Sequence, residues 1–128
     1  MDAEQAVREL MELSSQITAA IVVDADGNVL ATSVDEPAAS ARLAAATREL
    51  VATAAELGSD DRDVTRVEVE LDDGAIFVVR EGVTTVAATT GPHPTSGLVV
   101  YDLRTCAQGI DAPKRRRTRK PKASEEAS

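Results

Sequence analysis

The chain has 128 residues, enough for one domain, with 43% apolar and 28% charged residues and a net charge of −8. Residues 1–110 hold 7 Arg, no Lys and 19 Asp or Glu, whereas residues 111–128 hold 4 Arg, 3 Lys and 3 acids. Net charges of −12 and +4 predict an acidic folded domain over 1–110 and a disordered basic C-terminal tail over 111–128. An acidic domain with Phe77 and Tyr101 as its two aromatic residues lacks the basic face and stacking platform of a nucleic-acid binder.

The cysteine content and the N-terminal sequence indicate where the chain works. Cys106 is the single cysteine and cannot form an intrachain disulfide, which is typical of a reducing compartment. The N-terminus is acidic and polar, and it lacks the basic and apolar segments of a secretory signal. The longest charge-free stretch, 82–101, is interrupted by prolines and glycines and does not resemble a membrane span. We therefore expect a cytoplasmic protein.

The first three predicted elements are a helix and a β-hairpin. Asp2 is a plausible N-cap. Apolar side chains then recur at helical spacing, at Ala3, Ala6, Val7, Leu10, Leu13 and Ile17. Two β-rich runs, 18–23 and 29–34, flank the acidic, glycine-containing turn 24–28, which predicts a hairpin.

A second helix is predicted over 38–57, with Asp35 as a plausible cap and Gly58 as its stop. One apolar stripe carries Leu43, Leu50 and Leu57 with Ala46 and Ala54 between them. A second stripe, turned roughly 100° from the first, carries Ala44, Val51 and Ala55. One stripe is enough to cover a sheet, so the second suggests close approach of another helix. The polar sector contains Arg42, Glu49, Thr53 and Glu56.

Three strands and a final helix complete the predicted domain. The strands cover 64–71, 75–79 and 83–90, and their turns are short enough to require an antiparallel meander. The last helix begins near Thr95 or Ser96 and runs to about Gly109. The order α-β-β-α-β-β-β-α predicts an α+β sandwich, in which a five-stranded antiparallel sheet is covered by helices on both faces.

Two sequence motifs within this order are similar to those of a known family. Residues 21–31, IVVDADGNVLA, match an apolar run followed by D-x-x-G and x-V-L-A, and residues 96–103, SGLVVYDL, match G-L-x-x-Y-[DE]-[LM]. Over residues 3–110 the chain resembles the roadblock (dynein light-chain-like) family, of the type that regulates bacterial small GTPases.

This resemblance implies a function and a set of surface residues. Family members form homodimers, or pair with a related subunit, through the third strand and the second helix. They serve as platforms for, or regulators of, small Ras-like GTPases in signalling, without a cofactor. The expected dimer interface comprises Arg66, Val67, Glu68, Val69, Ala44, Val51 and Ala55. The expected partner surface comprises Arg42, Glu49, Thr53 and Glu56.

The residue types that carry chemistry offer no competing enzyme. His93 lacks a second ligand for a metal, Cys106 lies on the apolar side of a helix, and the turn acids are expected to be solvated. No catalytic triad, metal-binding set or nucleotide loop is recognisable, so intrinsic enzymatic activity is not expected.

Two other functions fit parts of the sequence. A profilin- or PAS-like domain that senses a small molecule is one alternative, since a profilin-like domain shows a similar pattern with a different order of elements. The tail carries seven basic residues between Lys114 and Lys122, which suit an anionic membrane, nucleic acid or an acidic partner. A solubilising tail that contacts its own acidic domain explains the same charges.

Overall fold

The computed structural model describes residues 1–58 and 65–110. The basic tail and the predicted strand start at Val64 lie outside the described residues. The elements are α1 (Ala3–Leu13), β1 (Ile17–Val23), β2 (Val29–Thr32), α2 (Pro37–Leu57), β3 (Arg66–Leu71), β4 (Gly74–Glu81), β5 (Thr84–Thr90) and α3 (Ser96–Gly109).

The five strands form one antiparallel sheet in the order β2-β1-β5-β4-β3. Two-residue turns at 72–73 and 82–83 join β3, β4 and β5 into the predicted meander. The long connection through α2 carries the chain from β2 at one edge to β3 at the other. The predicted α+β architecture is confirmed, and β2 and β3 are the edge strands.

The sheet separates two apolar cores of unequal size. The larger core lies under α1 and α3 and contains Phe77, Val22, Val86 and Leu103, all fully buried. The smaller core lies under α2, where Ile21, Val23, Ala44, Val78 and Ala87 are buried. Helices therefore cover both faces, as predicted, although α2 alone covers the second.

Helix α1 ends one turn earlier than the apolar spacing predicts. The Asp2 carboxylate accepts a 2.8 Å hydrogen bond from the backbone N–H of Gln5, which confirms the predicted N-cap. At the other end, the Ser14 hydroxyl accepts hydrogen bonds from the N–H groups of Gln16 and Ile17, each at 3.3 Å. These bonds turn the chain into β1, so Ile17 begins a strand and Leu13 is exposed rather than packed.

Helix α2 is capped by Glu36, not by Asp35. The Glu36 carboxylate accepts hydrogen bonds from the N–H groups of Ala38 at 3.1 Å and Ala39 at 2.9 Å. Pro37 occupies the first turn, where its missing N–H removes no helical bond. The longer glutamate side chain reaches back over the helix start, a role that the sequence pattern assigned to the shorter Asp35.

Loss of this cap is expected to destabilise the domain measurably. Glu36→Ala leaves two N–H groups at the start of α2 without acceptors, and N-cap losses cost about 0.5–2 kcal/mol. Asp35→Ala removes the same charge one residue earlier and is expected to change the free energy of unfolding by less than about 0.5 kcal/mol. Urea denaturation of the two variants checks the assignment, and equal losses would contradict it.

Candidate interaction surface

Strand β3 presents an unpaired backbone edge. The N–H of Arg80 donates to the carbonyl of Thr65 at 3.0 Å, so Thr65 directs its backbone groups toward β4. Because these directions alternate along an antiparallel strand, Arg66, Glu68 and Glu70 direct theirs away from β4. The sheet ends at β3, so these groups have no backbone partner within residues 1–58 and 65–110. Such an edge is a ready template for pairing with another strand.

The two faces of β3 differ in polarity. Val67 and Val69 are half-buried, and Val67 packs against the core under α2. Arg66, Glu68 and Glu70 are exposed on the opposite face. There the Glu68 carboxylate accepts a 2.8 Å hydrogen bond from the Ser96 hydroxyl at the start of α3. The edge therefore combines apolar side chains on one face with a charged row on the other.

The two apolar stripes of α2 do not lie where the sequence predicts. Ala44 is only 1% exposed and belongs to the chain's own core, so it has no surface left for a partner, and the prediction that it lies in a dimer interface is wrong. Val51 is half-buried against the same core, and Ala55 is exposed. The predicted leucine stripe instead lies on the side of the helix, where Leu43 and Leu50 are half-buried and Leu57 is 86% exposed.

The leucine side of α2 is the one nearer to β3. Leu43 and Leu50 pack against the small core together with Val67 of β3. On the other side of the helix, Arg48 donates from Nη1 to the carbonyl of Gly27, in the turn between β1 and β2. We call the side formed by Leu43, Ala46, Leu50 and Leu57 the leucine flank. It lies beside the β3 edge, so an apolar helix side and an unpaired strand adjoin one another.

The four polar residues predicted for a partner surface are all exposed on α2: Arg42, Glu49, Thr53 and Glu56. They make no side-chain hydrogen bond or ion pair within the described part of the chain. The structure thus keeps this polar sector accessible and separate from both apolar cores.

Two other side chains belong to residue types that carry chemistry, Cys106 and His93. Burial, assisted by the nearby charge of Glu9, raises the pKa of the Cys106 thiol to about 11. The thiol is therefore protonated at neutral pH and serves as a small core side chain, as predicted. His93 sits in the loop before α3 with φ of 60°. Residues 1–58 and 65–110 contain no group of three His, Cys, Asp or Glu side chains positioned to hold a metal.

The acidic turn between β1 and β2 is held together by Asp24. Its carboxylate accepts the N–H groups of Asn28 and Asp26, each at 2.9 Å. The backbone N–H of Asn28 is the main cause that holds the pKa of Asp24 below its ordinary value. Gly27 completes the turn with φ of 85°, in the left-handed region that glycine favours. The carboxylate thus stabilises the hairpin turn that the sequence predicts.

Sequence reasoning missed a cleft beside this turn. Arg48 and Val51 of α2, Arg80 of β4 and Thr85 of β5 line it together with the turn residues. The predicted strand ended at Val79, which left Arg80 in a turn and hid its place on the sheet. A single arginine after an apolar run was the only signal in the sequence.

A comparison with protein-family models decides the identity of the fold. Residues 4–90 match the model described as the Roadblock/LC7 domain. The chain belongs to the Roadblock/LC7 family. This confirms the resemblance found in the sequence motifs. The family is one of regulatory and interaction domains, not a known enzyme family.

Solved structures show the same fold at low sequence identity. A Roadblock/LC7 domain from Streptomyces avermitilis is 23% identical with a TM-score of 0.73, over 84% of this chain and 93% of that one. The gliding protein MglB from Thermus thermophilus is 16% identical with a TM-score of 0.59, over 83% of each chain. Profilin II from Acanthamoeba castellanii is 20% identical with a TM-score of 0.57, over 84% of this chain and 94% of that one.

Two further results for this Roadblock/LC7 domain are negative. A search of curated proteins by sequence gave no match. No helix within the described ranges 1–58 and 65–110 is long and apolar enough to cross a membrane.

Proposed function

We propose that this Roadblock/LC7 domain forms a homodimer through β3 and the leucine flank of α2, and that the dimer binds and regulates, or scaffolds, a small Ras-like GTPase. The observation that carries the proposal is the unpaired β3 edge beside the leucine flank. Pairing the edge and covering the flank satisfies the backbone groups and buries apolar surface at the same time.

Twofold pairing of β3 restricts the register. Side chains that face each other must lie on the same face of the sheet, so the two paired residue numbers add to an even value. A register centred on Glu68 places Glu68 opposite its own copy, which is repulsive. A register centred on Val67 places Arg66 opposite Glu68 of the second copy, twice by symmetry. In the register centred on Val67, the outward backbone groups of Arg66 and Glu68 exchange hydrogen bonds. The opposite charges of these two side chains favour this register over the one centred on Glu68.

The same register extends the apolar face across the axis. Val67 meets Val67 of the second copy and Val69 meets Thr65, on the face that α2 covers. The two α2 helices then lie on one side of a continuous ten-stranded sheet, the arrangement that the family resemblance implies. Leu57, which is 86% exposed in the single chain, is expected to gain an apolar neighbour in such a dimer.

The GTPase is proposed to bind the polar sector of α2, because dimerisation leaves this sector in solvent. Arg42, Glu49 and Glu56 offer both charge signs, and together with Thr53 they have no side-chain partner within residues 1–58 and 65–110. In this proposal the domain acts on GTP hydrolysis by fixing groups that the GTPase supplies. GTP turnover by a Ras-like GTPase from the same genome, measured with and without this protein, tests that role. An unchanged turnover rate together with no binding would contradict the proposal.

Charge reversal on α2 is expected to separate binding from dimerisation. Glu49→Arg combined with Glu56→Arg changes the polar sector by four charge units but leaves β3 and the leucine flank intact. We expect GTPase affinity to fall by about tenfold or more, since like-charge contacts across an interface cost several kcal/mol. Calorimetry measures the affinity, and sedimentation confirms that the dimer persists.

The matched control for this variant is Glu4→Arg with Glu12→Arg. Both residues are exposed on α1, on the opposite side of the sheet from α2, and the change in net charge is the same. If this control weakens GTPase binding as much as the α2 variant does, the effect is long-range electrostatics and the partner surface lies elsewhere. An affinity unchanged in the α2 variant would also exclude that surface.

A further inference from the structure

A cleft of about 230 Å³ opens between the middle of α2, the β1–β2 turn and the adjoining ends of β1, β4 and β5. The cleft lies where Arg48 of α2 reaches the β1–β2 turn, on the side of the helix away from the leucine flank. Its lining includes Arg48, Arg80 and Thr85 together with the acidic turn. The cleft is therefore separate from the proposed dimer and GTPase surfaces.

Arg80 brings an unpaired positive charge into the cleft. Its backbone N–H is used in the β3–β4 ladder, but its half-buried guanidinium has no hydrogen bond or ion pair with any described residue. Arg48 adds a second guanidinium. Its Nη1 is fixed by the carbonyl of Gly27 at 2.9 Å, which leaves its other N–H groups available. The Arg48 side chain also lies close against the turn, because an added Cβ at residue 27 would be 2.5 Å from its Cδ and the arginine would have to shift.

Thr85 is the second, independent sign of a ligand. It is 7% exposed and lines the cleft, yet its hydroxyl makes no hydrogen bond within the described residues. Thr47, also on the cleft wall, satisfies its own hydroxyl by donating to the Leu43 carbonyl at 2.8 Å. Buried hydroxyl groups nearly always have a partner in protein or ordered water, so the Thr85 hydroxyl, which has none among the described residues, is available to a molecule in the cleft.

Two carboxylates of the turn, those of Asp24 and Asp26, line the same cleft. The Asp24 carboxylate faces the backbone N–H groups of its own turn and accepts three hydrogen bonds there. Asp26 is exposed and has no side-chain partner among the described residues. The cleft lining thus carries two guanidiniums and two carboxylates, and the Asp24 carboxylate is already engaged by the N–H groups of its own turn.

We propose that this cleft binds a small phosphate-bearing ligand, with Arg80 and Arg48 as charged donors and the Thr85 hydroxyl as the neutral donor. Guanidinium forks match the oxygens of phosphate and form short, charge-assisted hydrogen bonds. The volume lies below the roughly 300–1,000 Å³ of sites for drug-sized ligands, so the cleft fits a phosphate group with a short attached fragment.

The test is a titration of the whole chain with inorganic phosphate at constant ionic strength, followed by amide NMR shifts. The expected result is saturable shifts at residues 24–28, Arg80 and Thr85. Arg80→Gln keeps the backbone hydrogen bond to Thr65 and is expected to weaken phosphate binding by about tenfold or more. Thr85→Val removes only the hydroxyl and is expected to weaken it less, whereas Asp26→Asn is expected to strengthen it.

The matched control is Arg8→Gln, which removes an exposed arginine on α1, across the sheet from the cleft. It is expected to leave phosphate affinity unchanged. Absence of saturable shifts, or equal affinity in the Arg8 and Arg80 variants, overturns the proposal. Acetate that binds as tightly as phosphate overturns the assigned ligand class. The failure of this site leaves the dimer and GTPase proposals intact, because none of those experiments involves Arg80 or Thr85.

Discussion

Arg66→Glu is expected to shift the protein from dimer toward monomer. In the register centred on Val67, this change replaces two Arg66–Glu68 pairs with two pairs of carboxylates, bringing four negative charges together across the axis. Facing charges on a sheet contribute ~0.2–1 kcal/mol per pair, so reversing two pairs costs roughly 1–4 kcal/mol. The dimer Kd then rises by about five- to several hundredfold, at ~1.4 kcal/mol per tenfold. Sedimentation over a concentration series measures this shift.

The charge-swapped double variant distinguishes an effect of the strand register from general charge repulsion between the two chains. Adding Glu68→Arg to Arg66→Glu restores opposite charges at both positions and is expected to recover part of the affinity. Recovery is expected to be partial because the Ser96 hydroxyl holds the Glu68 carboxylate by a hydrogen bond, and an arginine, which cannot accept that bond, is not held in the same position. Arg8→Glu on α1 changes the net charge equally and is expected to leave the dimer intact. A monomeric wild type would contradict the proposed homodimer, and an Arg66→Glu variant as dimeric as wild type would place the interface elsewhere.

Most of the fold could be predicted because local signals agreed with one another. Several local signals agree with the observed elements: short acidic turns, a proline at the start of α2 and alternation along β3. The family match over residues 4–90 confirms the predicted fold. The errors lie where side-chain hydrogen bonds override the pattern. Ser14 ends α1 before Ile17, and Glu36 rather than Asp35 reaches the N–H groups of α2.

The orientation of α2 could not be predicted because its buried centre is a threonine. Thr47 is 1% exposed, and its hydroxyl is satisfied by a hydrogen bond that it donates to the carbonyl four residues earlier. Because a hydrophobicity pattern counts threonine as polar, it predicts that the leucines, and not Thr47, lie at the centre of the buried face. Ala44 and Val51 flank Thr47 and face the sheet instead, which leaves the leucine flank at the side. This rotation moves the proposed helix contact from Ala44 to Leu43, Ala46, Leu50 and Leu57.

The cleft proposed to bind phosphate could not be predicted from the sequence for a different reason. Its members come from three separate segments, and each has an ordinary explanation when considered alone. Arg48 looks like a solvent-exposed helix residue, Arg80 like a turn residue and Thr85 like one of several strand threonines. Only the register of Arg80 opposite Thr85 in the β4–β5 ladder, with Val23 beside Thr85, brings them to one place.

Phe77→Ala is expected to cause the largest loss of stability of any substitution considered. Phe77 is fully buried in the larger core, in the middle of β4, where it pairs with Glu68 of β3 and Ala88 of β5. Truncating a buried phenylalanine costs about 3–5 kcal/mol, from lost transfer free energy and the cavity left behind. That is a large share of the ~5–15 kcal/mol by which domains are normally stable.

Tyr101→Ala provides the matched control for this core variant, because it removes the only other Phe, Tyr or Trp ring in the chain. Tyr101 is 66% exposed on α3, so its loss is expected to change the free energy of unfolding by no more than ~0.5 kcal/mol. Urea denaturation of both variants should be measured at one protomer concentration, since dimerisation makes apparent stability depend on concentration. Losses of similar size in the two variants would mean that α3 packs against a partner through Tyr101, and that the exposed α3 surface belongs to an interface.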